Sequence, residues 1–265
     1  MALPRELRDM VYKHIVDDLP KIINVSNDRL LAPTFHSATT RGEQMVLGGS
    51  THHPLVTFLP GIAYVNDNIY KEFVPMYLPH IYLNVNDSPD LIYLESFFDT
   101  LPRGKGWDKI NNMILLDLAS ISRTPGRAKE TMDTILQAVN LQVLILNFKL
   151  QDFYLPPEWP FPPQSHAEAL AFQNSPLRSV DAAYLMTEYQ FDRLFELQNL
   201  KKLVVKIEHG YFEHTPRSVG TLADLRMALM EGLQSSAPNI KEVLCQEVDV
   251  RSPGISVFIL SVERC

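Results

Sequence analysis

The stretch Asn111–Leu150, NNMILLDLASISRTPGRAKETMDTILQAVNLQVLILNFKL, decides the fold class. "NNMILLDLA" is a short, strongly apolar run of strand length. "RAKETMDTILQAVN" spaces its apolar residues as a helix does, and "LQVLILNFKL" is a second apolar strand. A helix between two strands carries the chain back across a sheet face, so the strands pair in parallel. The rhythm continues downstream. "LRSVDAAYLM" reads as a weaker strand and "EYQFDRLFELQN" as a helix. "LKKLVVKIE" is a strand, "LADLRMALMEGLQSSAP" a helix, and "NIKEVLCQEV" and "ISVFILSVE" close as strands. The class is α/β.

Within that rhythm "NLQVLIL", "NLKKLVV" and "NIKEVLC" share one form: Asn, apolar, two free positions, then two apolar residues. Each follows an amphipathic helix. This is the grammar of an irregular leucine-rich-repeat-like, mostly parallel βα arrangement. The proline- and aromatic-rich "LQDFYLPPEWPFPPQSH" interrupts it. Proline withholds hydrogen-bond donors, so this loop is expected to drape over the core with Trp159 and Phe161 pinned against it.

Towards the N-terminus the pattern changes. "LPRELRDMVYKHIV" (Leu3–Val16) is a helix with Pro4 suited to its first turn. Glu6 and Asp9 lie near the positive end of its dipole, Lys13 and His14 near the negative end. Leu7, Val11 and Ile15, with Met10 beside them, recur at helical spacing as one apolar stripe. The helix should stop before Pro20. "KIINVS" then reads as a strand, followed by loops around short strands at "EQMVL" and "LVTFL". "AYVNDNIYKEFVPMYL" is a second helix from near Ala63, with Val65, Ile69 and Phe73 inward and Pro75 expected to kink or end it. "HIYLNVN" is a strand. "SPDLIYLESFFDTLP" is a helix capped by Ser88 with Pro89 at its first position. The chain thus divides into 1–107, helices with short strands, and 108–265, the βα region, packed as one unit.

Of the 265 residues 46% are hydrophobic and 21% charged, enough to build a sizeable core without disulfides or metals. The net charge of -7 repels a phosphate backbone, and no run of Lys or Arg offsets it, so nucleic acid is not the expected partner. No apolar stretch reaches the ~20 residues that span a bilayer. Charge appears early, where a secretion signal would need an apolar run. The two cysteines, Cys245 and Cys265, read as free thiols in a reducing compartment. An intracellular protein, cytoplasmic or nuclear, with no membrane contact is expected.

The motifs of chemistry are missing. "EHGYFEH" holds His209, Glu213 and His214, but a zinc helix needs two histidines one turn apart, and Gly210 and Pro216 mark a loop. His52 and His53 lie in another loop. "SRTPGRAKET" sits between strand and helix, where a phosphate loop would be, but lacks its glycines and lysine. There is no GxSxG elbow, and Cys245 is set in a strand. No catalytic residue, metal ligand or cofactor site is assigned.

The opening helix resembles the start of the F-box, LPxEL followed by spaced apolar residues. More narrowly, LPxELRxxVY is similar to the F-box-like proteins of filamentous ascomycete fungi. Their second segment, VNxxIYxE, is matched by "YVNDNIYKEFVPMYL" from Val65 through Tyr77. The resemblance implies that Leu3, Pro4, Leu7, Val11 and Ile15 would insert into a Skp-type adaptor. Burying such side chains stabilises by about 1.5–3 kcal/mol each, in an adaptor or equally in the chain's own core.

Two functions follow. The first is a non-catalytic protein-interaction module and not an enzyme, which the resemblance casts as a substrate receptor of a cullin-type ubiquitin ligase. It would act by proximity, holding a target near an enzyme elsewhere in the complex. The alternative is an enzyme with a cleft at the carboxyl ends of the parallel strands, near Asp117, Asn147 and His209. Convergence of those side chains around a pocket would favour the second; scattered, solvated positions would favour the first.

Overall fold

The computed structural model describes residues 4–25, 59–101, 106–118, 127–149, 154–155, 178–208, 216–236, 240–248 and 255–264. The chain order is α1 (Arg5–Asp18), β1 (Ile22–Val25), a 3-10 turn (Gly61–Tyr64), α2 (Asp67–Tyr77), β2 (Tyr82–Val85), α3 (Ser88–Asp99) and β3 (Asn112–Leu115). It continues with α4 (Arg127–Gln137), β4 (Val143–Lys149), β5 (Tyr154–Leu155), β6 (Arg178–Ser179), α5 (Ala182–Glu188) and a 3-10 turn (Phe191–Glu196). β7 (Lys202–Glu208), α6 (Pro216–Ser236), β8 (Ile240–Val248) and β9 (Ile255–Arg264) complete it.

Seven strands form one sheet in the order β1-β2-β3-β4-β7-β9-β8. β1, β2, β3, β4 and β7 are parallel to their neighbours, and β9 is antiparallel to both β7 and β8. Each new parallel strand is added on the same side of the last. Right-handed connections then place every intervening helix on one face of the sheet. Burial agrees. In β7, Leu203, Val205 and Ile207 are buried while Lys202, Val204, Lys206 and Glu208 are half-buried. Leu83 and Val85, Met113 and Leu115, and Leu144 and Leu146 continue the buried face across the sheet. They form one cluster with Leu94 and Phe97 of α3, Met132 and Ile135 of α4, Leu185 of α5, and Leu225 and Leu229 of α6. Each such side chain contributes about 1.5–3 kcal/mol by leaving water.

Several boundaries differ from the sequence reading, each for a local reason. α2 starts at Asp67 because Asn66 caps it, its Oδ1 accepting from the Ile69 N–H at 2.9 Å. Pro75 lies inside α2 without ending it, since Phe73, Val74 and Tyr77 around it are buried and hold the turn in place. Asp87, not Ser88, caps α3 through the Asp90 N–H at 3.0 Å. The weak strand expected at "LRSVDAAYLM" is the two-residue β6 followed by α5, because the Asp181 carboxylate accepts from the Tyr184 N–H at 2.7 Å and starts a helix there. The helix expected at "EYQFDRLFELQN" breaks at Gln190, which takes a left-handed φ of 50°, and resumes as the 3-10 turn. "EQMVL" and, except for Leu59, "LVTFL" lie outside the described residues. So does the proline-rich loop apart from Tyr154 and Leu155.

Candidate functional site

Parallel pairing brings the carboxyl ends of β3, β4 and β7 to one edge. Asp117 lies just past β3. Asn147 and Lys149 are on β4, in register with Lys206 and Glu208 of β7. In strands alternate side chains share a face, so these four project from the face opposite the helices. The Lys149 ammonium donates to Asp117 Oδ2 at 2.6 Å and the Lys206 ammonium to Glu208 Oε1 at 2.8 Å. Asn147 Nδ2 donates to the same Glu208 oxygen at 3.4 Å. Two of the three residues named for the enzyme alternative, Asp117 and Asn147, therefore enter a polar array. The third, His209, lies outside the described residues.

Asn147 is only 5% exposed, and its Oδ1 has no hydrogen-bond partner. Asn84 on β2 repeats the situation. Its Nδ2 donates to Asn24 Oδ1 on β1 at 2.6 Å, while its own Oδ1 is buried without a partner. A buried acceptor left unmade costs about 1–3 kcal/mol. Carrying two on one sheet face is a cost the fold does not need for packing. Around Asn147 the ammonium and carboxylate groups match in number and stay in contact with solvent, so their pairing adds little stability. What the array offers is a buried acceptor flanked by solvent-exposed ion pairs. Lys149, Lys206 and Glu208 were not singled out by sequence. Their signal was the polar residue at every second position where "LILNFK" and "VVKIE" end. Among the described residues no group of three or more His, Cys, Asp or Glu side chains could hold a metal.

The positions named for an adaptor lie elsewhere. Leu3 is outside the described residues. Pro4 precedes α1 and is exposed, its carbonyl accepting from the Arg8 N–H at 3.1 Å. Leu7 and Val11 are 47% and 48% exposed and Met10 is 68% exposed, while Ile15 is half-buried against the core. The stripe is thus not the inward face. Tyr12 and Val16 are buried instead. Likewise Val65 is exposed, Ile69 half-buried, and Tyr70 takes the inward position with Phe73.

The turn of α1 is set by a polar clamp. Arg8 donates to both oxygens of Glu72 on α2, from Nε at 2.9 Å and from Nη2 at 2.7 Å. The Tyr12 hydroxyl donates to Glu72 Oε2 at 3.3 Å. The Arg8 hydrogen bonds hold the Glu72 carboxyl below the usual carboxylate range, and those same bonds raise the guanidinium. Burial raises the Tyr12 phenol. Tyr12 meets Phe73 edge-on, ring centroids 5.7 Å apart. Arg8, Tyr12 and Glu72 are three of the polar letters of the two segments that carry the F-box-like resemblance, and here they fasten those segments to each other.

No family model matches the chain, and no curated protein does. Among solved structures, an rRNA methylase from Streptococcus thermophilus aligns over 99% of both chains at 9% identity with a TM-score of 0.27. A likeness of that size carries no argument about this chain's fold or reaction. The neighbour is an enzyme, so the expectation of a non-catalytic interaction module, not an enzyme, finds no support there and is withdrawn. No helix among the described residues is long and apolar enough to cross a membrane.

Proposed function

We propose that the chain is an enzyme that takes a small polar substrate at the carboxyl ends of β3, β4 and β7. The observation that carries this is the convergence of Asp117, Asn147, Lys149, Lys206 and Glu208, with a buried amide oxygen that lacks a donor in their midst. Open α/β sheets bind ligands outside the carboxyl ends of their strands. Here the strands follow one another in order, so no reversal of winding opens a crevice among the parallel strands, and the side chains alone mark the place. A carboxylate gripped by an ammonium and an amide is a positioned hydrogen-bond acceptor, and the lysines can exchange their carboxylates for an anionic group of a substrate. A panel of neutral, anionic and zwitterionic metabolites, followed by thermal shift and calorimetry, tests the reading. One class should stabilise the protein, and Glu208→Gln and Lys206→Met should weaken it about tenfold. A panel that shifts nothing, or shifts the variants equally, overturns it.

Separately from any reaction, the exposed Leu7, Met10 and Val11 favour a protein partner on the outer face of α1. The Skp-type adaptor implied by the F-box-like resemblance is the partner we propose there. The leucine-rich-repeat-like reading is proposed only for the parallel strands, because β8, which carries the third copy "NIKEVLC", is an edge strand antiparallel to its neighbour β9.

A further inference from the structure

At the opposite edge of the sheet, where β7 and β8 begin, lies an open cavity of about 530 Å³. The 3-10 turn and the strand approach give it Phe195, Glu196 and Gln198, and the end of α6 gives it Gly232, Ser235 and Ser236. It is open to solvent over most of its boundary, so it can seat one small group but does not enclose a ligand. What matters is how its polar groups are already committed. The Ser235 hydroxyl donates to the Glu231 carbonyl and the Ser236 hydroxyl to the Leu233 carbonyl at 2.8 Å. A hydroxyl has one proton, so both oxygens can only accept from a ligand. Gln198 Nε2 donates one of its two protons to the Glu196 carbonyl at 3.3 Å, so this amide can still both donate and accept. Glu196 is an acceptor by nature. Among the described residues the cation paired with it is Arg193, which is held at 2.6 Å by Asp133 and reaches Glu196 at 3.6 Å.

Two further features have the same sign. The last turn of α6 carries no basic residue, so the negative end of its dipole faces the cavity uncompensated. The Phe195 ring lies directly on Gly232, where a Cβ would overlap it, and supplies an aromatic wall. An aromatic ring, a carboxylate, acceptor-only hydroxyls and a helix carboxyl end all favour positive charge.

We infer that this cavity binds a small organic cation, an ammonium or guanidinium on an apolar stem. The inference is independent of the site at the carboxyl edge. Calorimetric titration of the intact protein with cadaverine, and with its neutral diol counterpart at matched ionic strength, tests it. Cadaverine should bind saturably in roughly the millimolar range and the diol should not. Glu196→Gln, at an exposed position that leaves the fold intact by circular dichroism, should weaken cadaverine about tenfold. Phe195→Leu should weaken it several-fold. No saturable binding of cadaverine, equal binding of the diol, or an unchanged affinity in Glu196→Gln would each overturn the assignment.

Discussion

Helices α3 and α1 are both amphipathic and are attached in opposite ways. α3 turns Leu91, Leu94, Phe97 and Phe98 inward, none more than 5% exposed. Phe98 meets Trp107 edge-on at 4.6 Å and is backed by Gly106, where any Cβ would overlap its ring. α1 buries Tyr12 and Val16 and is otherwise tied by the bonds of Arg8 and Tyr12 to Glu72, while its best apolar stripe faces outward. The contrast shows that periodicity reveals a helix but not which side of it docks. In α1 the rotation that buries Tyr12 and Val16 is also the one that joins Arg8 to Glu72.

The largest effect that would test this contrast is at α3. Phe98→Ala should cost about 3–5 kcal/mol in urea unfolding, because the cavity beside Trp107 cannot close. A loss below about 1 kcal/mol would mean that α3 is not held by its core side chains.

The clamp on α1 should give a smaller and pH-dependent effect. Glu72 ionises below the usual range when folded and at about 4.3 when unfolded. The stability it contributes is therefore complete above that unfolded value and disappears as pH falls through the folded one. Melting temperatures of wild type and Glu72→Gln should converge on acidification and separate near neutrality. Parallel profiles would show that the pair does not hold α1.

Smallest of all, Leu7→Ser with Val11→Ser should leave stability within about 0.5 kcal/mol per site, as exposed positions do. The same double variant should lose co-purification with a Skp-type adaptor that wild type retains. Strong destabilisation would place these residues in the core after all, and wild type that never retains adaptor would remove that partner.

The sheet was legible because its strands are dense apolar runs separated by helical spacing, as in "NNMILLDLA" and "LKKLVVKIE". What was not legible depends on contacts far apart in sequence. Ile15 adjoins both the stripe of Leu7 and Val11 and the pair Tyr12 and Val16, so the apolar pattern fits two rotations of α1. The rotation observed goes with partners about sixty positions later, Glu72 and Phe73. Gln190 broke a helix whose composition gave no warning, since a left-handed residue is usually announced by glycine or asparagine. The polar array at the carboxyl edge was half legible. Asp117 and Asn147 follow from counting strand ends, but the part played by Lys206 and Glu208 needed the register of β4 against β7.

The position of β9 has a consequence for synthesis. β9 is the last strand in chain order, yet it lies between β7 and β8 and pairs with both. A ribosome releases β8 first, with no adjacent strand to receive it, and the flank of β7 stays bare until β9 emerges. The nascent chain therefore carries an unzipped seam from the completion of β7 until β9 emerges, and removing β9 would leave two strands without that neighbour, not one.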